Sequence, residues 1–289
     1  MKAPCAAFAL LVSLSASQAW AQERYDGPII DTHAHVRFGE DDVVMPGQPV
    51  GAETILGLDA QAGVRVSGLI VVARAAQLAK TRSQNDAVIA AAAASQDRLF
   101  PIASVHPADG EAALAEIDRV AARGVKVIKL HPNTQNFDVG DPAVTAVVTR
   151  CSERGLVVLF DSYKPWDASE MGKFLLLAAA NPKAKLILAH MGLAEFRETI
   201  TFAKLRKLGV GESVYFDLSA IATTYANSPV GPELVWTIRQ IGVNHFLFGS
   251  DWPVDTPAEA AQAVRDLGFT PQEQARIFHD NAAALLGLP

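Results

Sequence analysis

The chain has 289 residues, of which 50% are hydrophobic and 19% charged, with a formal net charge of −6. That apolar share can bury a sizeable core and excludes a disordered chain. The acidic balance, with no block of basic residues, excludes a nucleic-acid binder that works through a basic face.

The N-terminus reads as a leader. Lys2 supplies a short positive end, Ala6 to Leu14 are mostly apolar, and Ala19-Trp20-Ala21 has the small-x-small form of a cleavage site. The apolar stretch is short for a membrane helix. Residues 1–21 are therefore expected to be a secretory signal peptide, leaving one domain over 22–289 that is periplasmic or secreted and has no membrane span. Cleavage removes Lys2 and takes the net charge from −6 to −7. Mature protein from its native host should begin at or near Gln22, which N-terminal sequencing of an extracytoplasmic fraction checks. Intact Met1 on a soluble cytoplasmic protein would overturn the expectation. Of two cysteines, Cys5 lies in the leader and Cys151 in an apolar helical stretch. Packing is the expected role of Cys151.

Eight short apolar runs follow in chain order: Pro28–Thr32, Val66–Val72, Phe100–Val105, Val125–Leu130, Leu156–Phe160, Lys185–Ala189, Ser213–Leu218 and Asn244–Phe248. Each has the length and composition of a strand buried on both faces. Between them the periodicity turns helical. Glu111–Arg123 stripes Leu114, Ile117 and Val120, and Pro142–Arg154 stripes Val144, Val147 and Cys151. Gly124, Gly155, Asn181 and Gly242 punctuate helix ends. The tail from Pro257 holds two helices divided at Pro271, with Thr270 as N-cap. Run starts lie 25 to 38 residues apart, the size of one βα unit. The α/β class predicted is a (β/α)8 TIM barrel. An open doubly wound sheet is the alternative, but no G-x-G-x-x-G turn follows the first run.

Ionisable residues collect where these runs end, which in a barrel is the active-site face. Run one ends Asp31-Thr32-His33-Ala34-His35. Run three leads to His106, run four to Lys129-Leu130-His131, run five to Asp161, run six to His190 and run eight to Asp251-Trp252. Five of the seven histidines fall at such ends. His33 and His35, two apart on a strand, share a face. Two imidazoles and the Asp251 carboxylate make the mixed nitrogen and oxygen set of a catalytic metal site. His245 and His279 are expected to be structural, and His106 to line the mouth.

These motifs resemble the amidohydrolase superfamily. Asp-Thr-His-Ala-His at 31–35, Lys-Leu-His-Pro at 129–132, Leu-Ala-His-Met-Gly at 188–192 and Gly-Ser-Asp-Trp-Pro at 249–253 carry the resemblance. They are similar in particular to the amidohydrolase-related branch that includes aminocarboxymuconate-semialdehyde decarboxylase. The resemblance spans nearly all of 22–289 and extends to Asn281–Leu286. It implies one divalent metal ion, expected to be zinc with manganese or iron as alternatives. It implies His33, His35 and Asp251 as ligands, Asp251 also as catalytic base, and His190 as the catalytic residue that polarises the substrate or orients the nucleophile. The branch usually carries a histidine ligand at the end of strand five. Here that place is Asp161, which is expected to be a fourth, harder ligand or to order water beside the ion. His131, Lys129 and Trp252 are expected to contact substrate. An ordinary Lys129, paired with Asp161 or a substrate carboxylate, is preferred to a carboxylated metal bridge.

The function expected is a metal-dependent hydrolase acting on a small substrate, aromatic or carboxylated, through activated water. The rivals are a non-oxidative decarboxylase of the same branch and a barrel that has lost catalysis and binds its ligand. A serine hydrolase is not expected, because no G-x-S-x-G nucleophile elbow is present. Phe38, Phe137, Tyr163, Trp166, Tyr225 and Trp252 are candidate pocket aromatics, and Val36–Val50 is one of the loops expected to choose the substrate. Substrate identity does not follow from these residues, and the chain is compatible with a homo-oligomer.

Overall fold

The computed structural model of this chain describes residues 24–39 and 50–289. The expected signal segment and most of the loop Val36–Val50 lie outside them.

Eight strands form one sheet: β1 (Ile29–His35), β2 (Val64–Ile70), β3 (Leu99–Ser104), β4 (Val127–Leu130), β5 (Val157–Asp161), β6 (Lys185–Ala189), β7 (Val214–Asp217) and β8 (Phe246–Leu247). Each predicted run carries one of them. The strands are neighbours in chain order and all pairs are parallel. The sheet then returns on itself. Thr32 N donates to Phe248 O at 3.0 Å, and His35 N to Trp252 O at 2.8 Å, so β1 meets the segment directly after β8. The fold is the (β/α)8 barrel expected.

Two apolar layers follow from alternation along the strands. Ile30, Val66, Ile102, Val127, Leu159, Ile187 and Leu247 fill the barrel, with Leu285 and Leu286 of the last helix packed among them. The opposite faces pack outward on the helices, where Cys151 is buried with Val147, Phe174 and Phe202. Burial pushes the Cys151 thiol up, as suits an inert core residue. The tail helices begin at Thr256 and Thr270, each closing a capping box with the Glu three residues on. Gly124 and Gly155, at φ 87° and 71°, end their helices in the left-handed region that glycine adopts freely.

Alternation also delivers the polar end of the barrel. On β4 it carries Val127 to Lys129, on β5 Val157 to Leu159 to Asp161, and on β7 Tyr215 to Asp217. Strand β1 departs from it. Ile30 lies inside, yet Ala34 and Val36 pack outside with Ile55, Leu69 and Val71. Strict alternation would put Ile30 and Ala34 on one face. The register supplies the difference: Asp31 pairs with Ser67 and Ala34 with Leu69, three steps on β1 against two on β2. This bulge turns His33 and His35 into the barrel.

Candidate metal centre and active site

Three donors converge at the C-terminal end of the barrel. His33 Nε2 lies 3.3 Å from His35 Nε2. Asp251 Oδ1 is 3.1 Å from His33 Nε2 and 3.3 Å from His35 Nε2. Donors that share one four-coordinate ion at about 2.0–2.1 Å are expected about 3.3 Å apart. These three can hold a metal ion.

Their charge states suit that task. Burial lowers His35 to about 4, against the partial opposition of Asp251. The ring is therefore neutral near pH 7 and keeps a lone pair. His33 Nδ1 meets Asp217 Oδ2 at 2.9 Å. A proton on Nδ1 leaves Nε2 as the donor, the arrangement that outer carboxylates impose on metal-binding histidines. Burial pushes the Asp251 carboxyl up, but His33, His190 and His35 outweigh it and hold Asp251 well below the usual range. The set is two imidazoles and a carboxylate, which fits a divalent ion.

Opposite the donors stands a second pair. His190 Nε2 lies 3.1 Å from Asp161 Oδ2 and 3.8 Å from Asp251 Oδ2. Burial disfavours the imidazolium, yet Asp251, Asp161 and Asp217 outweigh it and raise His190 to about 10. Asp161 mirrors this. Burial raises its carboxyl, and His131, His190 and Lys129 bring it far below the carboxylate range. The structure thus seats Asp161 on His190 and not among the three converging donors, which departs from the fourth-ligand expectation. His131 Nε2 is 3.6 Å from the same Asp161 oxygen. Burial above all lowers His131 to about 3, so it is neutral.

The other expected contacts fall elsewhere. Lys129 is wholly buried, and its Nζ meets His33 Nε2 at 3.0 Å rather than pairing with Asp161. Burial lowers its pKa against the pull of Asp161, Asp251 and Asp217. A substrate contact by Lys129 does not fit this position beneath the donors. Trp252 packs on the outer cluster around Ala34 and Val36, with its indole N–H unpartnered among the described residues. His106 is a buried brace and not a mouth residue: Nε2 meets Gln135 O at 2.8 Å and Nδ1 accepts from Ala108 N. Phe137 packs edge-on against His106, and Tyr225 against Phe196. Phe38 and Trp166 are exposed. His245 meets Val214 O and His279 meets Asp280, both structural as expected.

Two residues were missed. Asp217 ends β7, accepts from His190 N at 3.1 Å and holds His33. Ser219 Oγ bonds Asp217 Oδ1 and lies 3.0 Å from His190 Nδ1 and 3.3 Å from His33 Nδ1. The strand-end argument, applied to the seventh run, points to Asp217. No sequence signal marks Ser219, because the turn that aims it back is irregular. Ala220 sits at φ 56°, as His190 and Asp251 sit at 61° and 58°. Non-glycine residues are uncommon in this region, and these three stand in the turns that follow β6, β7 and β8 at the site.

Glu170 opens the helix Glu170–Ala180 and is buried near Asp161. Burial first, then Asp161, raises its carboxyl to about 8 from 4.5. Between those values the folded protein holds a proton that the unfolded chain has lost, so stability falls as pH rises through the window. Glu170→Gln removes this loss. The melting-temperature gain of the variant over wild type should grow from pH 5 to pH 8, and a flat difference would count against the assignment.

The match to a family model, "Amidohydrolase", covers residues 30–288. No curated protein matches the sequence significantly. Solved structures share the fold at low identity. The 2,6-dihydroxybenzoate decarboxylase from Rhizobium superposes with a TM-score of 0.71 at 16% identity, covering 90% of this chain and 98% of that one. For 5-carboxyvanillate decarboxylase from Sphingomonas paucimobilis the values are 0.68, 17%, 91% and 99%. For a probable 2-pyrone-4,6-dicarboxylic acid hydrolase from Acinetobacter baumannii they are 0.66, 17%, 90% and 99%.

Proposed function

The chain belongs to the amidohydrolase family, and on that premise we propose that it is a metal-dependent hydrolase of a small amide, ester or lactone. The observation that carries the reading is the convergence of His33 Nε2, His35 Nε2 and Asp251 Oδ1 at 3.1–3.3 Å, with His190 Nε2 facing Asp251 Oδ2. Those donors would hold a divalent ion, expected to be zinc, which would supply positive charge for a carbonyl oxygen and a water of pKa about 7.

The chain's own groups do the rest. Asp251 offers Oδ1 to the donor set and leaves Oδ2 on the His190 side. That oxygen takes the proton of the attacking water and returns it to the leaving group. His190 carries its proton toward the same space and stabilises the developing oxyanion. Asp161 keeps His190 charged from behind. Neutral His131 lies beside Asp161, its ring nitrogens both bonded to Thr134. A location outside the cytoplasm remains part of the proposal.

Decarboxylation is the second reading, favoured by the two decarboxylases that share the fold. In it His190 becomes the proton donor to carbon as CO2 leaves. One experiment separates the readings. Metal-loaded wild type and Asp251→Asn are offered a panel of lactones, esters and amides and a panel of hydroxylated benzoates, with acid and CO2 release both measured. Metal-dependent acid release that fails in Asp251→Asn supports hydrolysis. CO2 release alone assigns the decarboxylase. Neither activity together with no metal uptake leaves a ligand-binding barrel.

A further inference from the structure

One side chain behind β1 is bonded to the bulge that aims His33 and His35 into the barrel. Asp31 is wholly buried. Its Oδ1 accepts from His33 N at 2.9 Å, inside the bulge. The same oxygen accepts from Ser250 N at 3.0 Å, across the seam between β1 and the segment after β8. Ser250 starts the turn in which Asp251 adopts φ 58°. Asp251 N then donates to His33 O at 2.7 Å, and Ser250 Oγ to the same carbonyl at 3.3 Å. Asp31 Oδ2 has no partner among the described residues. A buried carboxylate is costly unless it is bonded: burial pushes this one up, with Asp59 adding to the rise, and the Ser250 hydroxyl and these two amides oppose it.

Resting on the metal-site reading above, we propose that Asp31 is the positioning residue of the metal centre. Its one carboxylate oxygen closes the β1 bulge and ties it to the Ser250-Asp251 turn. The spacing of His33, His35 and Asp251 is thereby set from outside the barrel. Without this acceptor, β1 is free to relax toward plain alternation, which would rotate His33 and His35 out of the barrel and bring Ala34 in. The clamp acts on backbone amides, so an acceptor oxygen matters and the negative charge does not.

The test uses Co2+ as the probe, titrated into the metal-free protein and followed by its visible absorption. Wild type, Asp31→Ala and Asp31→Asn are compared, each checked for fold by circular dichroism. Asp31→Ala should bind Co2+ about 10- to 100-fold more weakly, the loss typical of removing an outer partner, and with an altered spectrum. Asp31→Asn keeps a carbonyl oxygen for both amides and should restore the wild-type spectrum and most of the affinity. A folded Asp31→Ala with wild-type affinity and spectrum overturns the proposal. So does an Asp31→Asn that loses the metal as Asp31→Ala does. If Asp31→Ala does not fold, Asp31→Asn decides: the wild-type spectrum supports the clamp, and a changed or missing one overturns it. A wild type that takes up no Co2+ fails earlier, at the metal reading itself, and removes the centre that Asp31 would position.

Discussion

The protein carrying both His33→Ala and His35→Ala is expected to emerge from metal loading with none bound. Losing an outer hydrogen-bond partner weakens a metal site by about 10- to 100-fold. Removing a donor itself should exceed that, and removing two leaves Asp251 alone on this side of the barrel. The single variants should differ in stability. The His35 ring is partly exposed and its polar contacts are to His33 and Asp251. His35→Ala should therefore melt close to wild type when both are metal-free. His33 sits between Asp217 and Lys129, both wholly buried. Its removal takes the partner from Lys129 Nζ and from Asp217 Oδ2, while Asp217 Oδ1 keeps His190 N and Ser219; leaving a buried polar group unpaired typically costs about 1–3 kcal/mol. His33→Ala should melt lower without metal, while still folding, because Ile30, Val66 and Leu247 carry the packing of this wall. Elemental analysis and melting curves of the metal-free proteins test both halves. Unchanged metal content in the double variant would dismiss the site.

The barrel was legible because its strands are buried on both faces. Runs such as Lys185–Ala189 and Leu156–Phe160 have no amphipathic ambiguity, and the β6 limits match the predicted run. The converging histidines were legible because barrel topology places strand ends together, whatever their distance in sequence. Three features were not. The β1 bulge is a matter of register between two strands, and nothing in Asp31-Thr32-His33 announces it. Two-residue spacing correctly put His33 and His35 on one face, but the bulge decides which face. The turns at His190, Ala220 and Asp251 depend on contacts from other elements, which local propensity does not encode. Burial depth was the third. A lysine at a strand end reads as a substrate contact, whereas Lys129 lies beneath His33, where only the packed barrel could place it.

Asp161 is where the chain departs from its branch, and its geometry makes a prediction opposite to that of a ligand. Its Oδ2 lies 3.1 Å from His190 Nε2, and the three-donor set forms without it. Asp161→Asn should therefore leave Zn2+ and Mn2+ affinities nearly unchanged. What should move is the proton on His190. That proton is held to about 10 by Asp251, Asp161 and Asp217 against the opposing effect of burial. A neighbouring opposite charge is worth about one to three pKa units, so without the Asp161 charge the folded value should fall toward neutrality. His190 is active as the imidazolium, and a raised pKa keeps that form as pH rises. A bound divalent ion would offset the Asp251 charge, so the alkaline limb of the wild-type turnover profile should lie below pH 10 and depend more heavily on Asp161. In Asp161→Asn it should drop by about one to three units, with turnover falling about tenfold per unit above the new limb. Below it the two proteins should converge. Asp161→His tests the other side: an imidazole there resembles the family pattern, but it repels the His190 charge and should depress the limb further. The measurement is turnover against pH together with Zn2+ and Mn2+ titrations for all three proteins. A collapse of metal affinity in Asp161→Asn, with an unmoved limb, would return Asp161 to the metal as a ligand.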